Sequence, residues 1–260
     1  MHILLTCATA VEAKPLRELL SGDSTARRYN ELWVWEGRRN AICMLRTGIS
    51  AQRAKRALQS IHWPSSLSKP AFQGEPDLRG DLRESATRQA ASPKLKPDAV
   101  IIFGIAGQLA PHFPVGTIVI PHLWRSELHA TPLLCSEGLL QSASRTALRV
   151  LAGLETEVHV GGSGVTLQQP AWSRLERELV RQRYSDAGIC DMETFAVMEQ
   201  FPGAECLSVR IISDDGSESL LPRKAMKHPM CALDDVRRCC ATLAKFVYRL
   251  LQELEGRGVL

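Results

Sequence analysis

The segment "DAVIIFGIAG", residues 98–107, decides the fold class. Ala99 to Phe103 is an unbroken apolar run, the pattern of a strand covered on both faces rather than one with a wet side. Working outward, "GTIVIPH" (116–122), "EVHVGGSG" (157–164) and "ECLSVRIISDD" (205–215) read as further strands of this kind. Residues 2–8 give a short first strand, and a helix is expected over 11–20. Pro15 would fall in its first turn, where a missing amide hydrogen does least harm. "LWVWEG" (32–37) and "NAICMLRTG" (40–48) predict two strands joined at 37–39. Ser50 is a good N-cap for a helix with Ala54, Ala57, Leu58 and Ile61 on one side. A helix is expected at 191–200, and an amphipathic one at 234–254 carrying Val236, Leu243, Val247, Leu250 and Leu254. Strands separated by helices, with glycine-rich turns at strand ends, predict an α/β fold with a largely parallel sheet.

The 260 residues carry a formal charge of +4 and are 45% hydrophobic. No apolar run approaches the ~18 residues of a membrane span. The N-terminal "MHILLTCATAVEAKPL" lacks a basic leader and reaches Glu12 and Lys14 early, so it reads as a buried strand and not a signal peptide. Eight cysteines without a CxxC spacing suit reduced core thiols and a cytoplasmic protein. The basic pairs Arg27–Arg28, Arg38–Arg39 and Arg237–Arg238 are scattered, which speaks against nucleic-acid binding. Residues 64–97 lack periodicity and read as a surface insertion. Their Glu75, Asp77, Asp81 and Glu84 balance the neighbouring Lys and Arg. His112, His122 and His129 have no zinc-site spacing, and no metal or cofactor is implied.

In α/β sheets ligands gather at the carboxyl ends of strands. That rule selects residues 7–12, "GIAGQL" (104–109), "GGSGVTL" (161–167) and "SDDGSES" (213–219). A fifth place is "ICDMETFAVMEQ" (189–200). There Ile189, Met192, Ala196 and Val197 repeat at helical spacing, which brings Glu193 close to the buried side. Glu12, Glu193 and Asp214 each lie at a junction between elements. A positioned base, a positioned acid and an acceptor for sugar hydroxyls are what cleavage of an N-glycosidic bond requires, because its transition state is oxocarbenium-like. Arg210, four residues before Asp214, is placed to hold a nearby carboxylate ionised.

These pieces resemble the purine nucleoside phosphorylase/uridine phosphorylase superfamily, and within it the methylthioadenosine/S-adenosylhomocysteine nucleosidases and futalosine hydrolases. The likeness lies in "ILLTCATAVEAKPL", "RTGIS" (46–50), "PDAVIIFGIAGQLAP" (97–111), "VGTIVIP" (115–121), "DMETFAV" (191–197) and "SVRIISDD" (208–215), in that order. The resemblance implies one three-layer α/β/α domain over 1–260, with 64–97 outside the match, a small nucleoside as ligand, and a homodimer or higher homo-oligomer. It implies that Glu12 activates water, Met192 and Glu193 bind ribose, and Asp214 protonates the leaving purine with Ser213 orienting it. Arg210 would support Glu12. Ile49, Ala106, Gly107, Thr166 and Leu167 would line the ligand. Two departures stand out. The glycine turn has Ile105 and Gln108 where the family usually carries Ser and a second Gly. No base-stacking aromatic occurs near Val165, Thr166 and Leu167, a place that Phe195 or a neighbouring chain's tryptophan would have to fill.

Three readings stay open. The favoured one is a nucleosidase, because "TCATAVEA" lacks the glycine and arginine of a phosphate loop and carries Glu12 where phosphate would be repelled. A phosphorylase of the hopanoid-associated type, with Arg46 as phosphate ligand, is the second. A non-catalytic nucleoside-binding protein is the third.

Overall fold

The computed structural model describes residues 1–23, 26–29, 32–36, 41–61, 96–150, 156–171, 173–214 and 229–256. Nearly all of the expected insertion, and Asp215, lie outside these. Among the described residues twelve strands form one mixed sheet. The first, β1 (His2–Cys7), pairs in parallel with β4 (Ala41–Arg46) and with β5 (Ala99–Gln108). An antiparallel edge of β2 (Ala26–Tyr29) and β3 (Leu32–Glu36) extends from β4. On its other side β5 runs parallel to β12 (Glu205–Asp214). That strand pairs antiparallel with β6 (Ile118–Ile120), which is parallel to β9 (Val158–Val160).

Beyond the reach of β1, the end of β5 takes a second neighbour. Ile189 and Cys190 of β11 (Ala187–Asp191) pair antiparallel with Gln108 and Gly107. From β11 the sheet continues through β10 (Ser163–Thr166) and β7 (Leu123–Ser126), both parallel, to the short β8 (Leu133–Leu134). The expected α/β class with a mixed, largely parallel sheet is what the chain forms.

Helix α1 (Ala10–Asp23) packs on α6 (Pro229–Gly256), as does α3 (Glu137–Val150), and α6 lies against β5 and β12. The apolar face of α6 is spaced at three and four residues: Cys239, Leu243, Val247, Leu250 and Leu254 are all buried. A second group pairs α2 (Ala51–Gln59) with the one-turn α5 (Thr194–Met198), which touches β5, β7 and β10. Helix α4 (Arg174–Arg183) starts at a capping box, with Ser173 and Glu176 satisfying each other's amides. Cys7, Cys43, Cys135, Cys190, Cys206, Cys239 and Cys240 are free and buried, and no helix among the described residues is long and apolar enough to cross a membrane.

Four local expectations are corrected. Pro15 is not in the first turn of its helix, which already starts at Ala10; the sixth residue of α1, it costs one internal hydrogen bond. The 157–164 segment is two strands, because Gly161 and Gly162 both take positive φ (126° and 73°) and break the ladder. "GIAGQL" is strand almost throughout and not a turn. The 191–200 stretch is the end of β11 followed by a single helical turn, so Ile189 is buried as a strand residue. Strands β2, β7 and β8 and helices α3 and α4 were not expected, although Ser173 and Glu176 carry the capping-box spacing that starts α4.

Packing is close where β10 passes Trp124. A Cβ at Gly164 would lie 2.8 Å from three atoms of that fully buried ring. Gly164→Ala is therefore expected to destabilise the fold by about 1–3 kcal/mol through overpacking. Urea unfolding would read this as a lowered midpoint, with altered Trp fluorescence in the native baseline.

Candidate active site

The site begins at the end of β1. Thr9 and Glu12 form a capping box on α1: the Thr9 amide donates to Glu12 Oε2 at 2.6 Å, and the Glu12 amide donates to Thr9 Oγ1 at 3.3 Å. The Thr9 hydroxyl adds a bond to the same oxygen at 3.0 Å. Capping does not account for the other oxygen. Glu12 Oε1 accepts from the Ile105 amide of β5 at 3.0 Å. The buried carboxylate is thus held across two strands in one orientation.

Gly104 makes that crossing possible. A Cβ there would fall 2.6 Å from both Glu12 Oε1 and Arg210 Nη1. Arg210, on β12, is one of the most deeply buried side chains, 1% exposed, and its ion-pair partner Asp191 is equally enclosed, at 2.6 Å. It donates to Ser208 Oγ at 3.3 Å and to Thr194 Oγ1 at 2.5 Å, and lies 6.0 Å from the Trp124 ring centroid. Asp191 is further fixed by Thr166 Oγ1 at 2.7 Å and by the Thr194 amide at 3.2 Å. A buried charge pair is tolerable only when its remaining valences are met in this way.

Glu193 follows β11 into the same region. Its Oε1 accepts from the Ser50 amide at 3.1 Å. Ser50 has φ 125°, the only positive φ outside glycine among the described residues. Such a backbone costs on the order of 1–3 kcal/mol and is kept where surroundings over-determine it. Here it aims an N–H at a buried carboxyl. Burial, reinforced by the charges of Asp191 and Glu12, pushes the Glu193 carboxyl up from 4.5 to about 8, against the pull of Arg210 and the Ser50 amide.

Asp214 occupies a second station further along β5, opposite Gly107, after a bulge that follows Ile212. Ser213 Oγ donates to the Ala106 carbonyl at 3.4 Å. Asp214 pairs through its buried Oδ1 with Nη1 of Arg177 on α4, a contact not aligned as a hydrogen bond. Arg177 is itself fixed, with Nε donating to Ala171 O at 3.0 Å and Nη1 to Gln108 O at 3.1 Å. From the Ile105 contact of Glu12 to Gly107 is two residues of strand, roughly 7 Å.

The structure therefore gathers Glu12, Glu193 and Arg210 in one cluster and Ser213, Gly107 and Asp214 in the adjoining one. Met192 is half-buried next to Glu193, and Ile49 is 52% exposed beside Ser50. Ala106 is buried in β5. Thr166 is occupied in holding Asp191 and in accepting the Phe195 amide at 3.0 Å, and Leu167 is buried in a small apolar cluster with Leu109, Val165, Ala187 and Cys190. Phe195 is buried and stacked on His129 at 5.0 Å between centroids. Sequence reasoning missed Asp191, Thr194 and Ser208, whose roles come from strand ends meeting in space. It also missed Arg177, which looks like any other charge in "RLERELVRQR". Among the described residues no group of three or more His, Cys, Asp or Glu is arranged to hold a metal ion.

A sequence model described as "Phosphorylase superfamily" matches residues 2–253. No match is found among curated proteins. Solved structures with the same fold include the native futalosine hydrolase of Helicobacter pylori strain 26695, with 16% identity over 97% of this chain and 98% of that one and a TM-score of 0.68. The 5′-methylthioadenosine/S-adenosylhomocysteine nucleosidase of Neisseria meningitidis, in complex with methylthio-immucillin-A, gives 18%, 96%, 98% and 0.68. The corresponding Campylobacter jejuni enzyme gives 15%, 97%, 99% and 0.69.

The raised Glu193 carboxyl has a pH signature. Between about 4.5 and about 8 the unfolded chain ionises this group while the native state keeps it protonated. Its stabilising contribution is complete below 4.5 and is lost as pH rises through 8. Glu193→Gln removes that loss, so relative to the parent the variant gains stability, by roughly 2–4 kcal/mol, on going from pH 4.5 to 8.5. Urea titrations at the two pH values check this; a pH-independent difference contradicts it.

Proposed function

The chain belongs to the phosphorylase superfamily, and from that premise we propose that it hydrolyses the N-glycosidic bond of a purine nucleoside or a 5′-modified relative of the methylthioadenosine, S-adenosylhomocysteine or futalosine class. The observation that carries the reading is the buried Glu12 carboxylate, locked by Thr9 and Ile105 at the strand ends where an attacking water would stand. Beside it are Glu193 and Asp191, and the one guanidinium in the cluster, Arg210, is committed to Asp191. With Glu193 held protonated below about 8 and Asp191 paired to Arg210, the Glu12 carboxylate leaves this cluster with excess negative charge, which repels a phosphate and suits a neutral nucleophile.

In this reading Glu12 takes a proton from water as it attacks C1′. Met192 packs on the sugar and Glu193 meets its hydroxyls; a carboxyl near 8 both donates and accepts at neutral pH. Asp214, oriented with Ser213, faces the departing base and carries the proton that it gains. Ile49 and the backbones at Ala106, Gly107, Thr166 and Leu167 complete the enclosure. We place this chemistry in a single nucleoside phosphorylase-like domain over 1–260, in a cytoplasmic homodimer or higher homo-oligomer that needs no cofactor, nucleic acid or membrane. The phosphorylase alternative draws on Arg46, which sits opposite Cys7 in the β1–β4 register beside the first loop.

Product analysis distinguishes the two. Methylthioadenosine, S-adenosylhomocysteine, futalosine, inosine and adenosine are each incubated with and without phosphate. The expected result is free base and free sugar from at least one of them, at a rate independent of phosphate. Glu12→Gln should lower kcat by about 10²–10⁴-fold, with Asp214→Asn similarly impaired. Sugar 1-phosphate formed only with phosphate would establish the phosphorylase, and saturable binding without base release would establish a binding protein.

A further inference from the structure

The three carboxyl groups of the Arg210 cluster differ in what their partners leave unused. Both oxygens of Glu12 are engaged, one by Thr9 and the other by the Ile105 amide. Both oxygens of Asp191 are engaged as well, Oδ1 by Thr166 and the Thr194 amide, Oδ2 by the Thr194 hydroxyl and Arg210. Glu193, 6% exposed, differs: Oε1 accepts the Ser50 amide, and Oε2 has no hydrogen-bond partner among the described residues.

The amide that engages Oε1 comes from a strained backbone. Ser50 lies at φ 125° and ψ 152°, a region that glycine enters freely and that a Cβ opposes. Its hydroxyl is committed to the helix behind it, accepting from the Arg53 amide at 3.3 Å as the N-cap of α2. Further along α2, Lys55 is ion-paired at 2.6 Å with Glu199, which follows α5. That pair ties α2 to the helical turn whose N-cap position is Glu193. With both ends of the contact anchored, the outward N–H at Ser50 meets Glu193 in one orientation.

We infer that Ser50 is a positioning residue for sugar recognition: its amide ties down Oε1 of Glu193 and leaves Oε2 as the aimed oxygen that reads a ribose hydroxyl. This rests on the nucleoside-cleaving reading of the same site. A carboxyl with both oxygens loose turns about its last torsion and has to be ordered by the ligand; one tied at Oε1 is ordered beforehand. The hydrogen that Glu193 keeps below about 8 then sits on Oε2, because Oε1 is accepting from an N–H. Oε2 donates to one hydroxyl oxygen of a ribose diol and accepts from the other. A sugar that lacks a hydroxyl read in this way leaves a buried polar group unpaired. The preference for ribosyl over deoxyribosyl ligands is therefore set by Ser50 acting through Glu193.

The test is equilibrium binding by calorimetry of formycin A and formycin B, C-nucleosides whose carbon–carbon glycosidic link is not hydrolysed, each beside its 2′-deoxy and 3′-deoxy forms. The unaltered protein should bind at least one ribosyl form ~10-fold or more tightly than a deoxy form of it, since a site built around a hydrogen bond rejects the analogue that cannot make it. Ser50→Val, whose branched Cβ does not tolerate this φ, should turn the N–H away and bring the two affinities together. Ser50→Gly adopts the same backbone, keeps the N–H and should retain the parent ratio although it lacks the capping hydroxyl. A merely structural role for Ser50 weakens all ligands alike and leaves the ratio where it was. An ester in place of the Ile49–Ser50 amide, made with the hydroxy-acid analogue of serine, deletes the N–H alone and decides the matter if Ser50→Val does not fold. Equal affinities in the unaltered protein, a ratio kept in the ester or lost in Ser50→Gly, or failure to bind any of the ligands overturns the inference. A ribosyl preference that follows the Ser50 N–H, with no base released from inosine or adenosine, supports the inference and removes the hydrolase reading.

Discussion

The buried cation Arg210 is the constraint on which the site depends. A guanidinium 1% exposed must be paired and hydrogen-bonded or the fold does not tolerate it. Asp191, Thr194 and Ser208 meet that need, and Trp124 covers the guanidinium. Because these partners come from β11, α5, β12 and β7, satisfying one charge fixes the relative position of four elements. Gly104 must remain without a side chain so that Arg210 and Glu12 can approach across β5. The arrangement that makes a buried cation acceptable also brings three carboxyl groups to one point.

The β5–β12 pair then divides the work along its length. Its middle carries the Arg210 cluster with Glu12. Its end, past the bulge, carries Asp214 and Arg177 opposite Gly107. β1 borders the first station, whereas β11 reaches both, pairing with Gly107 at the second and sending Asp191 to Arg210 at the first. The strained Ser50 amide closes the arrangement from the other side by holding Glu193. Sheet register, and not loop geometry, sets the spacing between the two stations.

Much of this was legible in the residues. The unbroken run at 99–103 identified a strand buried on both faces, and Glu12, Glu193 and Asp214 stood out as acids at junctions. Thr9-x-x-Glu12 carries a capping-box spacing that explains half of what the Glu12 carboxylate does; the bond to Ile105 is long-range and has no local signature. Glycine proved ambiguous: Gly161 and Gly162 split a strand, whereas Gly104 and Gly107 lie inside one because other side chains need the space. Arg177 and Asp191 were opaque for a common reason. Whether a charge on a helix or strand end is solvated or paired depends on which distant element arrives beside it, and periodicity holds no information on that.

The central claim is that water, positioned by Glu12, attacks the anomeric carbon. Its most direct test is the fate of the attacking oxygen. The cleavable nucleoside is turned over once in ¹⁸O-water with saturating phosphate present, and the sugar is trapped at once by borohydride reduction and weighed by mass spectrometry. Unlabelled ribose carried through the same steps corrects for exchange. One ¹⁸O at C1 of the reduced sugar is the predicted result. Oxygen derived from phosphate, seen as a stable sugar 1-phosphate without label at C1, would contradict the account.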